Sequence, residues 1–311
     1  MNAKNNINGI GDCPREEVYT LQHAALLNVH LEFTRKIVTE LQTFDNLYYE
    51  VCNEPYFGGV TQEWQHRIVD EIRKTEADFA QQHLISLNVA NGRKKVEDPH
   101  PGVSIFNFHY CHPPDVVAMN DSLDNVIGEN ETGFRGQDDL LYRTEGWDFL
   151  MAGGALYNNL DYSFTPSHPD GSLQKYDSPG GGSAALRAQL HVLKEFIEGF
   201  DLPRLQPDPH IIREVSDSLV ASALGDPGKD YAVYIHVPLP AKADKLDSHR
   251  RKGLQANLQL ELPAGNYQVT WVNTKTGDQE RIENHMHNGG LLSLRSPPFD
   301  DDLALRVRRG D

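Results

Sequence analysis

The chain has 311 residues, 39% of them hydrophobic, and its 45 acidic and 29 basic side chains give a formal charge of −16. That length holds one large domain or a large and a small one, and the acidity speaks against a nucleic-acid backbone as partner and suits a neutral substrate. No apolar run approaches the ~20 residues needed to span a bilayer, and three widely spaced cysteines (Cys13, Cys52, Cys111) with no Cys-x-x-Cys pair support neither a zinc ribbon nor a disulfide framework.

The N-terminal stretch Met1-Asn2-Ala3-Lys4-Asn5-Asn6 has no apolar core of a signal peptide. This favours the cytoplasm, with a secreted origin open if the N-terminus is truncated. Asn5 to Asp12 is polar and Gly-rich and reads as a loop. A domain rarely begins on such a loop, so elements are expected upstream of it. A helix follows from Val18 to Leu41, with Leu26, Leu27, Phe33, Ile37, Val38 and Leu41 near helical spacing. Asp45-Asn46 turn the chain into an apolar strand, Leu47–Cys52, which ends in Asn53-Glu54-Pro55. Pro55 lacks an N–H and stops the strand.

A second helix runs from about Gln62 to Phe79, with Trp64, Ile68, Val69 and Ile72 on one face. Strands follow at His83–Val89, at Val103–Phe108 ending in His109-Tyr110, and at Asn125–Gly128 ending in Glu129-Asn130-Glu131-Thr132-Gly133. Pro113-Pro114 opens a short helix through Met119. A helix around Leu140–Met151 leads to Ala155–Leu160 and then Asp161-Tyr162. Gly180-Gly181-Gly182 reads as a flexible connection before a strong helix, Ala184–Phe200. Strand alternating with helix implies βαβ units and a parallel sheet. About five strands carry their polar residues at the C-terminal end, the asymmetry of a (β/α) barrel. No Gly-x-Gly-x-x-Gly follows a strand, so a dinucleotide fold lacks its phosphate turn.

After Pro207-Asp208-Pro209 the texture changes to short alternating runs, Asp230–His236, Leu254–Leu260, Tyr267–Val272, Leu291–Leu294 and Leu303–Val307, punctuated by turns at Pro263–Asn266, Thr276–Asp278 and Asn288–Gly290. This predicts an antiparallel β-sandwich. The expected organisation is α/β: residues 1–204 as an incomplete (β/α) TIM-type barrel and residues 205–311 as the sandwich.

Glycosidic bond hydrolysis needs two carboxyl groups flanking the anomeric carbon, one to protonate the leaving oxygen and one to attack or to activate water. Glu54 is one candidate at a strand end. Glu131 is the second, with Glu129 its rival two residues earlier and on the same face. Tyr48-Tyr49-Glu50-Val51-Cys52-Asn53-Glu54-Pro55 resembles the fourth-strand motif of the clan A glycoside hydrolases, (β/α)8 enzymes that include cellulase-like families. The resemblance implies that Glu54 is the acid/base and that Asn53 bonds the substrate's 2-hydroxyl. It implies that Glu131, in Glu131-Thr132-Gly133, is the nucleophile of the seventh strand. Phe108-His109-Tyr110 resembles the end of the sixth strand, which makes His109 or Tyr110 the partner of the nucleophile by a hydrogen bond. By position, Asp161 and Tyr162 at the end of the last expected strand either line a sugar subsite or close the barrel. The C-terminal segment, with Leu262–Tyr267, Trp271-Val272-Asn273 and Pro297–Asp302, resembles the small sandwich that follows the barrel in several of these enzymes. Its expected role is to pack on the barrel, and Trp271 is its one candidate sugar platform.

Matched in this way, Leu47–Glu54 is strand four, and strands one to three have no counterpart in the sequence. The expectation is a partial barrel, strands four to eight, that self-associates as a homo-oligomer to cover its open edges. The function expected is a retaining β-glycoside hydrolase with two glutamates, a carbohydrate substrate, and no metal or organic cofactor. The alternative is a weak or inactive truncated barrel serving as a carbohydrate-binding or self-assembling protein. A metal-dependent hydrolase has little support. His109, Cys111 and His112 cluster at a strand end, but nothing fixes a further ligand.

Overall fold

The computed structural model describes residues 4–5, 7–216, 218–240 and 246–310, so the reading of Met1–Asn6 falls largely outside the described residues. The chain divides into two compact units, Met1–His109 with Met119–Gly128, and Tyr110–Ala118 with Glu129–Asp311. The parallel sheet has the strand order β1-β2-β3-β4-β5: β1 is Tyr49–Glu50, β2 Ile85–Asn91, β3 Ile105–His109, β4 Val126–Glu131 and β5 Leu156–Tyr157. Strand β4 contributes to both units.

In the first unit, helix α1 covers Ala24–Leu41 and α2 covers Gln62–Glu76. The helix expected from Val18 starts six residues late. Thr20 donates to the Glu17 carbonyl at 2.9 Å and accepts from the Gln22 N–H at 3.2 Å. This side-chain turn competes with helix, as short hydroxyl side chains do. Leu26, Leu31 and Val38 are buried, whereas Phe33, expected on the apolar face, is 64% exposed. Helix α2 starts where the Thr61 side chain accepts from the Trp64 N–H and buries the expected Trp64, Ile68, Val69 and Ile72. At its far end Glu76 bonds His83 Nδ1 at 2.6 Å, and His83 Nε2 lies 2.6 Å from the Phe44 carbonyl. This clips the helix to the approach of β2.

Strands β1, β2 and β3 pair in parallel, with Glu50 opposite Ser86 and Asn88 opposite Asn107. Strand β1 is shorter than the predicted Leu47–Cys52, although Val51 N–H still donates to Ser86 O at 3.2 Å. Asn107 donates to Glu50 Oε2 at 2.6 Å and Ser86 donates to the same oxygen at 3.2 Å. A buried polar ladder therefore ties three strands together, as buried polar groups require.

In the second unit, α3 is Asp115–Asn120, α4 is Asp139–Met151 and α5 is Ala184–Glu198. The remaining strands are β6 Gln206–Pro207, β7 Ile212–Val215, β8 Val220–Asp226, β9 Asp230–His236, β10 Asn257–Leu262, β11 Gly265–Val272, β12 Gln279–His287, β13 Gly290–Arg295 and β14 Asp302–Arg309. They form a three-stranded sheet, β13-β10-β7, and a six-stranded sheet, β12-β11-β14-β9-β8-β6, with antiparallel pairing. Along β9, Tyr231, Val233 and Ile235 face the three-stranded sheet, while Ala232 and Tyr234 pack against Trp147, Leu193 and Phe196 of α4 and α5. Both faces of the strand are covered, so every residue of it is buried. Trp147 stacks on Tyr234 at 4.9 Å, the core role expected for it. Trp271 is fully buried and offers no exposed platform. Strands β6, β7, β8 and β12 are not evident in the sequence. Strand β12, Gln-Glu-Arg-Ile-Glu-Asn-His-Met-His, is mostly polar and only half-buried, so its pairing rather than its composition makes it a strand.

The three glycines at 180–182 are buried, which corrects the expected flexible connection. A Cβ on Gly180 would sit 1.8 Å from the Gly133 carbonyl, and Gly182 has φ +124° against Asp161. Close backbone approach requires glycine at both positions. Among the described residues no helix is long and apolar enough to cross a membrane.

Candidate active-site residues

Glu54 and His109 belong to the first unit. Glu54 caps a 3-10 turn, Pro55–Phe57, and sits in the left-handed region at φ 45°. Its N–H donates to Asn88 Oδ1 at 3.1 Å, and Asn88 in turn donates to the Asn107 carbonyl at 3.4 Å. The polar ladder inside the sheet thus fixes the backbone of Glu54. A non-glycine residue in this conformation costs about 1–3 kcal/mol and persists only where neighbours over-determine it. The side chain is 29% exposed, and its Oε1 lies 3.4 Å from Nδ1 of the buried His109 at the end of β3. Asn53 is exposed beside it. Two aromatic rings follow, Tyr56 and Phe57, 4.9 Å apart and both exposed, and the Tyr56 hydroxyl donates to Asn91 Oδ1.

Tyr110, Glu129, Glu131 and Tyr162 belong to the second unit. The sequence reading ended the strand before Glu129, but β4 runs through Glu131, so both glutamates are strand residues with the same facing. Their surroundings differ. Glu129 is fully buried. Its Oε1 accepts from the Cys111 N–H at 2.6 Å. Burial first, and then the neighbouring Glu145 carboxylate, push its carboxyl well above the ordinary range. Glu131, by contrast, is partly exposed. The Tyr110 hydroxyl donates to its Oε1 at 2.7 Å. Tyr110 also has left-handed φ, 55°.

Beyond Glu131 the chain is held tightly. Thr132 is buried and donates to Glu145 Oε1 at 2.9 Å, and Arg135 bonds Glu145 Oε2 at 2.9 Å. Leu160 N–H donates to Thr132 O at 2.7 Å, and Tyr162 N–H donates to Gly181 O at 3.0 Å. Tyr162 therefore lies on the segment that packs against Gly133 and Gly180. Asp161, four residues past the end of β5, accepts from Arg187 at 2.6 Å and from Ser163, and so pins its own loop.

The sequence reading missed Asn88, Asn107 and Glu145. Each sits mid-strand or mid-helix without a motif. A polar residue inside an otherwise apolar run was the available signal. For metals, Cys13, Glu17 and His23 of the first unit each bring one ligand atom within 4.8 Å of the others, with His23 Nε2 already 2.6 Å from Glu17.

The sequence matches no protein-family model and no curated protein. Solved structures do resemble the fold. A glycoside hydrolase superposes with TM-score 0.63 at 12% identity, over 91% of this chain and 69% of that one. A glycoside hydrolase family 5 protein from Bacteroides vulgatus ATCC 8482 gives 0.61 at 11%, over 91% and 67%. A glycoside hydrolase family 30 subfamily 8 xylanase from Clostridium acetobutylicum gives 0.50 at 11%, over 91% and 72%. At such identities the likeness is one of fold alone: this chain is similar in fold to about two thirds of each of these glycoside hydrolases.

Proposed function

We propose that the protein is a retaining glycoside hydrolase acting on β-linked glycosides or oligosaccharides. The observation that carries this reading is the hydrogen bond from Tyr110 to Glu131 Oε1, made by a partly exposed carboxylate at the C-terminal end of a parallel strand. That end is where barrels of this type carry their chemistry. Glu131 attacks the anomeric carbon as the leaving oxygen takes a proton from Glu54. The C–O bond to the aglycone breaks and a glycosyl ester on Glu131 forms. Glu54, now ionised, removes a proton from water, which attacks the same carbon and releases Glu131. Asn53 bonds the 2-hydroxyl, His109 orients Glu54, and Tyr162 contributes to sugar binding. The reading requires the two carboxyl groups about 5–5.5 Å apart. The buried Glu129 has no access to substrate in this scheme. Hydrolysis of aryl β-glycosides by the wild type, and its loss in Glu131→Gln and Glu54→Gln with folding intact, is the test. Unchanged turnover in Glu131→Gln refutes the assignment.

In the same reading the five parallel strands correspond to strands four to eight of a barrel, with the sandwich at 205–311 as the C-terminal domain. Among the described residues, β1 is the edge of the parallel sheet and pairs with β2. Beside it is a cleft of about 620 Å³ lined by Phe33, Ile37, Val38, Tyr49, Trp64 and Ile68 among others. A second copy of the chain is proposed to cover this cleft. Light scattering at low concentration that gives a stable monomer contradicts the proposed homo-oligomer. A non-catalytic carbohydrate-binding or self-assembling protein is the second reading. It is favoured by the roughly one third of each similar hydrolase that has no counterpart here, and binding of oligosaccharides without turnover distinguishes it.

A further inference from the structure

Three side chains of the first unit, Cys13, Glu17 and His23, each bring one ligand atom to within 4.8 Å of the other two. They come from one short segment ahead of α1, and its backbone is fixed. The Glu17 N–H donates to the Pro14 carbonyl at 3.1 Å. The Thr20 hydroxyl, bonded to the Glu17 carbonyl and to the Gln22 N–H, sets the turn between Glu17 and His23. The Thr61 N–H donates to the Tyr19 carbonyl at 3.1 Å and ties the segment to the start of α2. His23 occupies the N-cap position of α1, yet its side chain makes no capping bond. Its Nε2 turns instead to Glu17 Oε2, 2.6 Å away. Cys13 is buried, while the Glu17 and His23 side chains are 36% and 37% exposed. The cluster is therefore closed at the sulfur and open to solvent on its other side.

We propose that Cys13, Glu17 and His23 hold a Zn2+ ion. Thiolate, carboxylate and imidazole are the donors zinc takes in proteins. With bonds of about 2.3 Å to sulfur and 2.0–2.1 Å to nitrogen or oxygen, neighbouring donors in a tetrahedral shell lie ~3.3–3.6 Å apart. The separations here, 2.6 Å between Glu17 and His23 and at most 4.8 Å across the cluster, fall on either side of that spacing. Side-chain rotation closes the difference, as the ion parts the Glu17–His23 pair and draws in the sulfur. The thiol proton leaves to solvent. The imidazole binds through Nε2 with its proton on Nδ1, and the thiolate and carboxylate together cancel the charge of the ion. Three protein ligands leave a fourth position, on the open side, for water. The sulfur disfavours hard ions such as Mg2+ and Ca2+. The ion clamps the segment that carries Tyr19, whose ring meets Trp64 edge-on at 5.1 Å and lines with it the cleft beside β1. The proposal does not depend on the hydrolase reading.

The test uses the full chain, stripped with a chelator and titrated with Zn2+ against a chromophoric competitor, with Co2+ as a spectroscopic stand-in. Wild type binds one ion per chain, and X-ray absorption at the zinc edge shows one sulfur at about 2.3 Å beside nitrogen or oxygen at about 2.0–2.1 Å. Co2+ gives a thiolate charge-transfer band in the near ultraviolet, which Cys13→Ser abolishes. Cys13→Ser and His23→Gln each weaken Zn2+ binding at least about 100-fold, beyond the loss expected for a residue that only supports a ligand. Cys52→Ser keeps both the band and the affinity. Zn2+ raises the Tm of wild type, as an ion that binds the folded chain does, and leaves that of Cys13→Ser unchanged. X-ray absorption reads the wild type directly and is independent of how the variants fold. Zn2+ held by wild type without a sulfur neighbour overturns the proposal, and so does an affinity unchanged in both variants, or no binding at all.

Discussion

Tyr110 holds Glu131 at two points: its N–H donates to the Glu131 carbonyl at 2.9 Å, and its hydroxyl donates to Oε1 at 2.7 Å. The left-handed φ of 55° at Tyr110 turns the chain just after β3 ends. The residue then follows the neighbouring strand, and its side chain meets the carboxylate. The strain at this position, of order 1–3 kcal/mol, is offset by these bonds.

Tyr110→Phe keeps the backbone turn and the ring and removes only the donor. A hydrogen bond to a charged group is worth about 1.5–3 kcal/mol, so kcat on an aryl β-glycoside is expected to fall roughly 10- to 100-fold while the circular dichroism spectrum stays unchanged. A kcat within twofold of wild type shows that the hydroxyl does not support the reacting carboxylate.

Glu129 invites the opposite result. Its carboxyl is driven up by burial and by Glu145. A folded-state pKa above the unfolded value means that stability is fully present below the unfolded value, about 4.3, and is lost as pH rises through the folded value. Glu129→Gln keeps an acceptor for the Cys111 N–H and removes the titration. The variant is expected to lose less stability than wild type between pH 5 and pH 8 in urea unfolding and to retain turnover. A variant with the wild-type pH slope contradicts the buried-acid account, and one without turnover moves the nucleophile from Glu131 to Glu129.

How far the sequence speaks depends on which interaction sets each element. Periodicity marks α2 and α5, because one covered face repeats every three or four residues, whereas α4 is buried almost all round and shows no such stripe. Glu131-Thr132-Gly133 is legible as a strand end, since a glycine punctuates it, whereas β1 closes at Glu50, ahead of Asn53-Glu54-Pro55, which leads into a 3-10 turn. The second-unit strand β12 is not legible, because its residues are polar and its partner β11 is what holds it. Gly180–Gly182 misled because glycine serves both slack and crowding, and only the distance to Gly133 O separates the two uses. Glu131 is set apart from Glu129 in the sequence only by the Glu131-Thr132-Gly133 pattern; their different surroundings, Cys111 and Glu145 about the one and Tyr110 about the other, come from the fold.

The second unit is fastened by Arg143 and Asp302. Arg143 on α4 donates from Nε to Oδ2 at 3.0 Å and from Nη2 to Oδ1 at 2.7 Å, a two-point clamp, and the Tyr234 hydroxyl donates to Oδ2 at 3.0 Å. Both members of the ion pair are buried. Although burial alone would raise the Asp302 carboxyl, the adjacent guanidinium and these hydrogen bonds leave it below its ordinary value. A lowered folded pKa stabilises above the unfolded value, about 3.9, and that contribution disappears as pH falls through the folded value. Asp302→Asn leaves the Arg143 charge buried without its counter-charge, which costs about 3–5 kcal/mol. The variant is expected to unfold at a clearly lower urea concentration at pH 7 and to lose less further stability than wild type as pH drops from 4 to 2. The pair links a helix that follows β4 to the last strand of the sandwich, so the loss should appear as one cooperative transition for both. Two separate transitions, with the sandwich unaffected by the substitution, would show that the clamp does not couple them.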